Sequence, residues 1–282
     1  MIIDFHTHTF PEAICEKVLH KLSMASCTTP FTRGSESDLL ASMKKNEIAY
    51  SVTLPVMTNA QQVEKINHNL CEEREASCKK GLISFGGMHP EYEEYKKELA
   101  FLKDHGIKGI KLHPAYQCVD LDDIRMMRII DAASELGLIV LIHAGIDVGI
   151  YDHNYSSTAQ ILKVIDTIHP EKFVLAHMGN WGCWEEVESD LCGAPVFFDT
   201  AFSLGKITAA KDAPKPPILS ENLSNEAFAR IVTKHGASKI LFATDSPWED
   251  QGDYLNRLQA MPITQKEKEM ILGLNAKALL SL

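Results

Sequence analysis

Eight short runs rich in β-branched and aromatic residues recur along the chain, and they limit its fold more than any other feature. They are Ile2–Phe5, Tyr50–Val56, Leu82–Gly86, Ile107–Leu112, Ile139–Ile142, Phe173–Ala176, Val196–Asp199 and Ile240–Ala243. Several are almost wholly apolar, as strands buried on both faces of a parallel sheet must be. Between them, apolar residues recur at spacings of three and four: Leu39, Leu40 and Met43; Val63, Ile66 and Leu70; Ile124, Met127 and Ile130; Ile161, Val164 and Ile168; Phe228, Ile231 and Val232. Each group describes a helix with one buried face. Asp38 and Ser224 are expected helix N-caps, and Gly106, Gly137 and Gly236 stand where helices should stop.

Strand and helix alternate with no break in composition, which predicts a single α/β domain over residues 1–282, a (β/α)8 TIM barrel. Its length slightly exceeds the roughly 250 residues typical of that fold. The competing architecture, an open doubly wound sheet, lacks the Gly-rich loop expected after its first strand. Two connections exceed what a linker needs, at about 22–37, which contains Arg33, and 204–223, which contains Lys206, Lys211 and Lys215. Loops of such length are commonly functional or disordered. Both should leave the face where barrels keep their chemistry.

Composition excludes some partners. Lys plus Arg number 28 against 38 Asp plus Glu, a formal charge of −10, so a phosphate backbone should be repelled and nucleic acid is not expected. The seven cysteines form no CxxC pair, which points to free thiols in a reducing compartment. No signal peptide is visible, and the longest apolar run, Leu138 to Ile142, is too short to span a bilayer. A cytoplasmic protein with no membrane partner is expected, and a homodimer is the commonest assembly for such a chain.

Chemistry gathers at the strand ends. His6 and His8 lie two apart, and alternation along a strand places both imidazoles on one face. Lys111 and His113 close the fourth strand, His143 the fifth, His177 the sixth and Asp245 the eighth. One polar residue after an apolar strand has many explanations; histidine or carboxylate after strands one, five, six and eight, all at one barrel mouth, describes a divalent-metal site.

These segments resemble the amidohydrolase superfamily, in particular its amidohydrolase-related branch, which includes aminocarboxymuconate-semialdehyde decarboxylase. The likeness is carried by Asp4-Phe5-His6-Thr7-His8, Gly109-Ile110-Lys111-Leu112-His113-Pro114, Ile142-His143, Ala176-His177-Met178-Gly179 and Ala243-Thr244-Asp245-Ser246-Pro247-Trp248. The segment from Ile271 to Ala276 is similar to the branch's final-helix signature. The resemblance implies one catalytic divalent ion in preference to two, Zn2+ first, with Mn2+ or Fe2+ also compatible. His6, His8, His143 and Asp245 would bind it, and His177 would be a further ligand or a proton-transfer residue. Lys111 stays open: carboxylated, it would bridge two ions; as an ammonium, it would pair with a substrate carboxylate or Asp245.

The activity expected first is hydrolysis of a small, carboxylated amide, ester or lactone by metal-activated water. Asp245 would be the general base, with His177 polarising the carbonyl. Lys111, His113, Trp248 and Arg33 are candidate substrate contacts. The alternative is non-oxidative decarboxylation of a small carboxylic acid. A deoxyribonuclease is disfavoured, because those enzymes carry glutamate where this chain has Lys111. A metal-stabilised binding protein without catalysis has no support, since no ligand is missing.

Other residues receive weaker expectations. Asp199, closing the seventh strand, is a candidate to orient a ligand histidine, and Asp4 should share the inward face of His6 as a structural partner. Trp181, Trp184 and Trp248 are candidate pocket walls, and His89 a candidate to reach the mouth. His20, His68, His105, His169 and His235 read as surface, and Met126 and Met127 as core.

Overall fold

The computed structural model describes residues 1–282, and in it the apolar runs become the staves of a closed barrel. Its strands are Ile2–Thr7, Ile48–Thr53, Leu82–Ser84 continuing as Gly86–Gly87, Gly109–Leu112, Ile139–Ile142, Phe173–Leu175, Phe197–Asp199 and Ile240–Leu241. Successive strands pair in parallel throughout. Phe85 N, between the two pieces of the third strand, donates to Thr53 O at 3.0 Å. Closure between the eighth strand and the first is made by Phe5 N to Phe242 O at 2.8 Å and Asp245 N to His6 O at 2.8 Å. This is the expected (β/α)8 TIM barrel.

Strand alternation divides the core. Ile3, Phe5, Val52, Leu141, Val174 and Leu241 belong to a cluster that fills the barrel. Val140, Ile142, Leu175 and Phe198 face outward into a larger cluster with the surrounding helices, such as Ile124–Glu135 and Asn225–His235. The C-terminal helix Asn275–Leu280 sends Ala276 and Leu280 into the interior cluster.

Several expectations are corrected. The helix Glu36–Lys45 is capped by Ser35, whose side chain accepts from Asp38 N; Asp38 sits in the first turn, where its charge suits the helix dipole. Ser224 caps its helix as expected. Residues 22–37 are not all loop, because the helix Cys15–Ser26 takes up their first part. His235 is buried, its ring stacked 3.8 Å from Phe198 and its Nε2 donating to Val196 O. With Nδ1 also accepting from Gly193 N at 3.2 Å, both ring nitrogens are satisfied and the imidazole packs like any flat apolar group, which hid it in a polar helix end. No helix is long and apolar enough to cross a membrane.

Candidate metal centre

A change of register builds the first half of the site. Ile3 and Phe5 point into the barrel, so simple alternation would turn His6 and His8 outward. The pairing of the first strand with the second shifts between Asp4 and Thr7. A bulge of this kind re-aims every later side chain. His6 and His8 therefore reach the mouth, while Asp4 stays behind the strand. The expectation that Asp4 shares the face of His6 is overturned: it accepts from Thr244 Oγ1 at 2.6 Å and from Gln251 Nε2 at 2.7 Å.

His6 donates Nδ1–H to Asp199 Oδ2 at 2.8 Å, and His8 donates Nδ1–H to Leu54 O at 2.8 Å. Both imidazoles are thereby fixed as tautomers with bare Nε2 lone pairs. The two Nε2 atoms stand 3.1 Å apart, and Asp245 Oδ1 lies 3.1 Å from His8 Nε2 and 3.5 Å from His6 Nε2. Burial, with Lys111 and neighbouring histidines adding to it, holds the His6 pKa well below its ordinary value. Three lone-pair donors crowd together with no proton to share among them. That donor set fits a divalent cation.

Lys111 is the only cationic side chain lining the same cavity, is 1% exposed, and lies 3.3 Å from His6 Nε2. Burial lowers its pKa to about 8, opposed by the charges of Asp199, Asp245 and Asp147. Asp199 Oδ1 also accepts from His177 N at 2.9 Å and Ala201 N at 3.0 Å. Burial raises that carboxyl, while Lys111 and these donors pull the other way.

His177 arrives by backbone geometry rather than alternation. Val174 and Ala176 face inward, so residue 177 should face out; its φ of +61°, followed by +54° at Met178, swings it round. Its Nδ1–H donates to Ala201 O at 2.9 Å, leaving Nε2 to accept from His143 Nδ1 at 2.9 Å. Burial lowers the His177 pKa to about 4. His143 faces the cavity as expected, but it is placed on His177 and stacked 4.2 Å from His113 instead of within the His6, His8 and Asp245 triad. Its Nε2 is buried without a hydrogen-bond partner.

Trp248 and Trp181 line the cavity. Trp184 does not; its indole N–H donates to His177 O at 3.1 Å. Arg33 also stays away from the cavity, held by Asp38 at 3.1 Å. His89 is buried, accepts from Glu91 N and does not line it. Of the two long connections, the first contributes Leu22, Ser26 and Thr28, whereas Lys206, Lys211 and Lys215 stay outside. Sequence reasoning missed Asp147, Tyr116 and Phe202. Asp147 had a readable signal, a lone carboxylate in the apolar stretch from Gly145 to Gly149, just after His143.

A family model described as Amidohydrolase matches residues 3–282. The chain belongs to the amidohydrolase family. No curated protein matches this amidohydrolase closely in sequence. Among solved structures, an uncharacterised TIM-barrel protein from Bordetella bronchiseptica superposes with a TM-score of 0.76 at 18% identity, covering 99% of this chain and 98% of that one. A dihydroxybenzoic acid decarboxylase from Polaromonas sp. JS666, with bound manganese and the inhibitor 2-nitroresorcinol, gives 0.72 at 14% identity, covering 100% and 97%. The 5-carboxyvanillate decarboxylase from Sphingomonas paucimobilis gives 0.71 at 14%, covering 100% and 99%. At such identities the likeness is one of fold.

Proposed function

We propose that this amidohydrolase is a metal-dependent, non-oxidative decarboxylase of a small aromatic carboxylic acid. The observation that carries the reading is Lys111, a buried ammonium beside the clustered donor atoms of His6, His8 and Asp245 in a cavity walled by Trp248, Phe202 and Ile146. An anionic, planar, apolar molecule answers both the charge and the walls. The decarboxylases among its fold relatives support the reading, as does the resemblance to the branch containing aminocarboxymuconate-semialdehyde decarboxylase.

His6, His8 and Asp245 would hold the ion, with His143 and His177 beside it. An ion held there would supply Lewis-acid chemistry, favouring negative charge on the substrate. The carbon–carboxyl bond breaks, carbon dioxide leaves, and the electron pair stays on the ring carbon until a proton replaces it. Lys111 supplies that proton; its lowered pKa leaves it charged near neutral pH yet a ready donor. The charges of Asp199 and Asp245 favour the protonated lysine, and Asp199 fixes His6. Trp248 and Phe202 exclude water from the carbanion.

Hydrolysis is kept as a second reading on one observation. His143 Nδ1 and His177 Nε2 meet at 2.9 Å close to Lys111, and with that lysine carboxylated they would suit a two-ion centre. Incubating Mn2+-loaded enzyme with benzoates that also carry an ester, amide or lactone group, in deuterated or 18O-labelled water, separates the two. Carbon dioxide release with one deuteron at the vacated carbon supports decarboxylation. A product carboxylate labelled with 18O, without carbon dioxide, refutes it.

A further inference from the structure

A second cavity, of about 150 Å³, opens at the end of the barrel opposite the metal centre. Lys108 and Lys172 line it, each standing immediately before a strand, Gly109–Leu112 and Phe173–Leu175. Lys103, in the last turn of the helix Tyr95–Asp104, lines it as well. The floor is apolar, formed by the buried Ile107, Ile139 and Leu280. Lys172 Nζ donates to Gly137 O at 3.1 Å, and Lys103 Nζ lies 3.9 Å from where a Cβ on Gly137 would stand. Nothing else beyond the local chain comes within 4 Å of that point, so the two ammonium groups converge over open space.

Three lysines around one cavity stand out in a chain of formal charge −10, and no acidic side chain lines it. Elsewhere lysines pair with acids, as Lys80 does with Glu36 and Lys163 with Asp122, each at 2.7 Å. None of these three forms an ion pair. Like charges gathered over an apolar floor repel one another, and a counter-charge between them relieves it. A favourable place at helix C-terminal ends accounts for Lys103 and Lys172. Lys108 opens a strand and has no helix end to serve.

We propose that Lys103, Lys108 and Lys172 form a binding site for a small multivalent oxyanion at the base of the barrel, phosphate and sulfate being its simplest occupants. A tetrahedral anion with two charges accepts an N–H from each ammonium at once, which chloride does not match in charge or shape. The cavity is too small for a nucleotide, since sites for larger molecules run to roughly 300–1,000 Å³. The staves that begin here end at Lys111, His143 and His177, so the ion ties together the bases of strands that carry the mouth. The site is separate from the metal centre and independent of the aromatic-acid reading.

Calorimetric titration of sulfate and phosphate into Mn2+-loaded enzyme, with ionic strength held constant by chloride, is the test. Wild type should show saturable binding with a Kd of about 1 mM or below, and a Tm that rises as the site fills. Lys108→Met and Lys172→Met should each weaken binding about tenfold, and the double variant should abolish it. Lys108 is exposed, so its replacement leaves the fold intact even should Lys172→Met, which loses the bond to Gly137 O, fail to fold. His8→Ala, altered only at the mouth, should bind both anions as wild type does. Binding that survives the lysine variants but disappears in His8→Ala places the anion at the metal and overturns the proposal. Absence of saturable binding up to about 10 mM overturns it too. So does a loss of stability in Lys172→Met that is equal with and without sulfate, which leaves the lysines only their place at helix ends.

Discussion

The 2.8 Å contact between His6 Nδ1 and Asp199 Oδ2 joins the first strand to the seventh and decides which nitrogen of His6 is bare. The carboxylate also receives two backbone N–H groups, so it is anchored before it anchors the imidazole. Asp199→Asn should therefore weaken Mn2+ binding by about 10–100-fold with the fold intact. Calorimetric titration of metal into stripped protein checks this; unchanged affinity would show that His6 needs no such support.

Removal of the ion tests the triad as a whole. Protein stripped by chelator should lose turnover and regain it on adding Mn2+, whereas His8→Ala should neither retain the ion through dialysis nor regain activity. Metal analysis and carbon dioxide release give the two readouts. Full activity of stripped protein would exclude a catalytic role for His6, His8 and Asp245.

Lys111→Met keeps the length of the side chain and removes its proton. Turnover should fall by at least about 100-fold while metal content stays near that of wild type. Retained turnover would remove the lysine from proton delivery. A carbamate signal in 13C-bicarbonate NMR that vanishes in the variant would favour the two-ion reading.

Gly145 has a φ of +99°, and a Cβ there would stand 2.2 Å from Trp181 N and 2.5 Å from Trp181 O. The chain passes so close because Trp181 N donates to Ala144 O and Ile146 N to Trp181 O. Gly145→Ala should destabilise the protein by about 3 kcal/mol or more, since both strain and overlap oppose it. Urea unfolding measures it, and a loss under about 1 kcal/mol would contradict the close approach.

Glu249 is 2% exposed beside Arg257, which bonds it at 2.9 Å and Leu204 O at 2.8 Å. Burial raises its pKa from 4.5 to about 7 against the pull of that arginine. The folded state thus holds the proton more tightly, and this contribution is present below pH 4.5 and lost as pH rises to about 7. The loss is at most about 3 kcal/mol. Glu249→Gln should flatten the fall in stability between pH 5 and 8. The wild-type-minus-variant difference cancels the opposite slope from His177 and His235, whose pKa values burial lowers to about 4. Parallel stability curves would refute the shift.

Much of this protein could be read from its chain because the relevant physics is local. Apolar runs separated by amphipathic segments leave few ways to bury both faces of a sheet, and polar residues closing those runs must collect at one end of it. His6, His8, Lys111, His143, His177 and Asp245 all lie at that end. What alternation could not supply came from packing between distant segments. The bulge between Asp4 and Thr7 turned two histidines inward, and left-handed backbone at His177 turned a third. The pairing of His143 with His177, the stacking on His113 and the unpaired oxygen of Asp147 arise across separate strands and loops. Hydrogen-bond direction and ring orientation depend on neighbours that only the closed barrel brings within 3 or 4 Å. The sequence determined which groups stand at the mouth, and tertiary structure decided which of their atoms face one another.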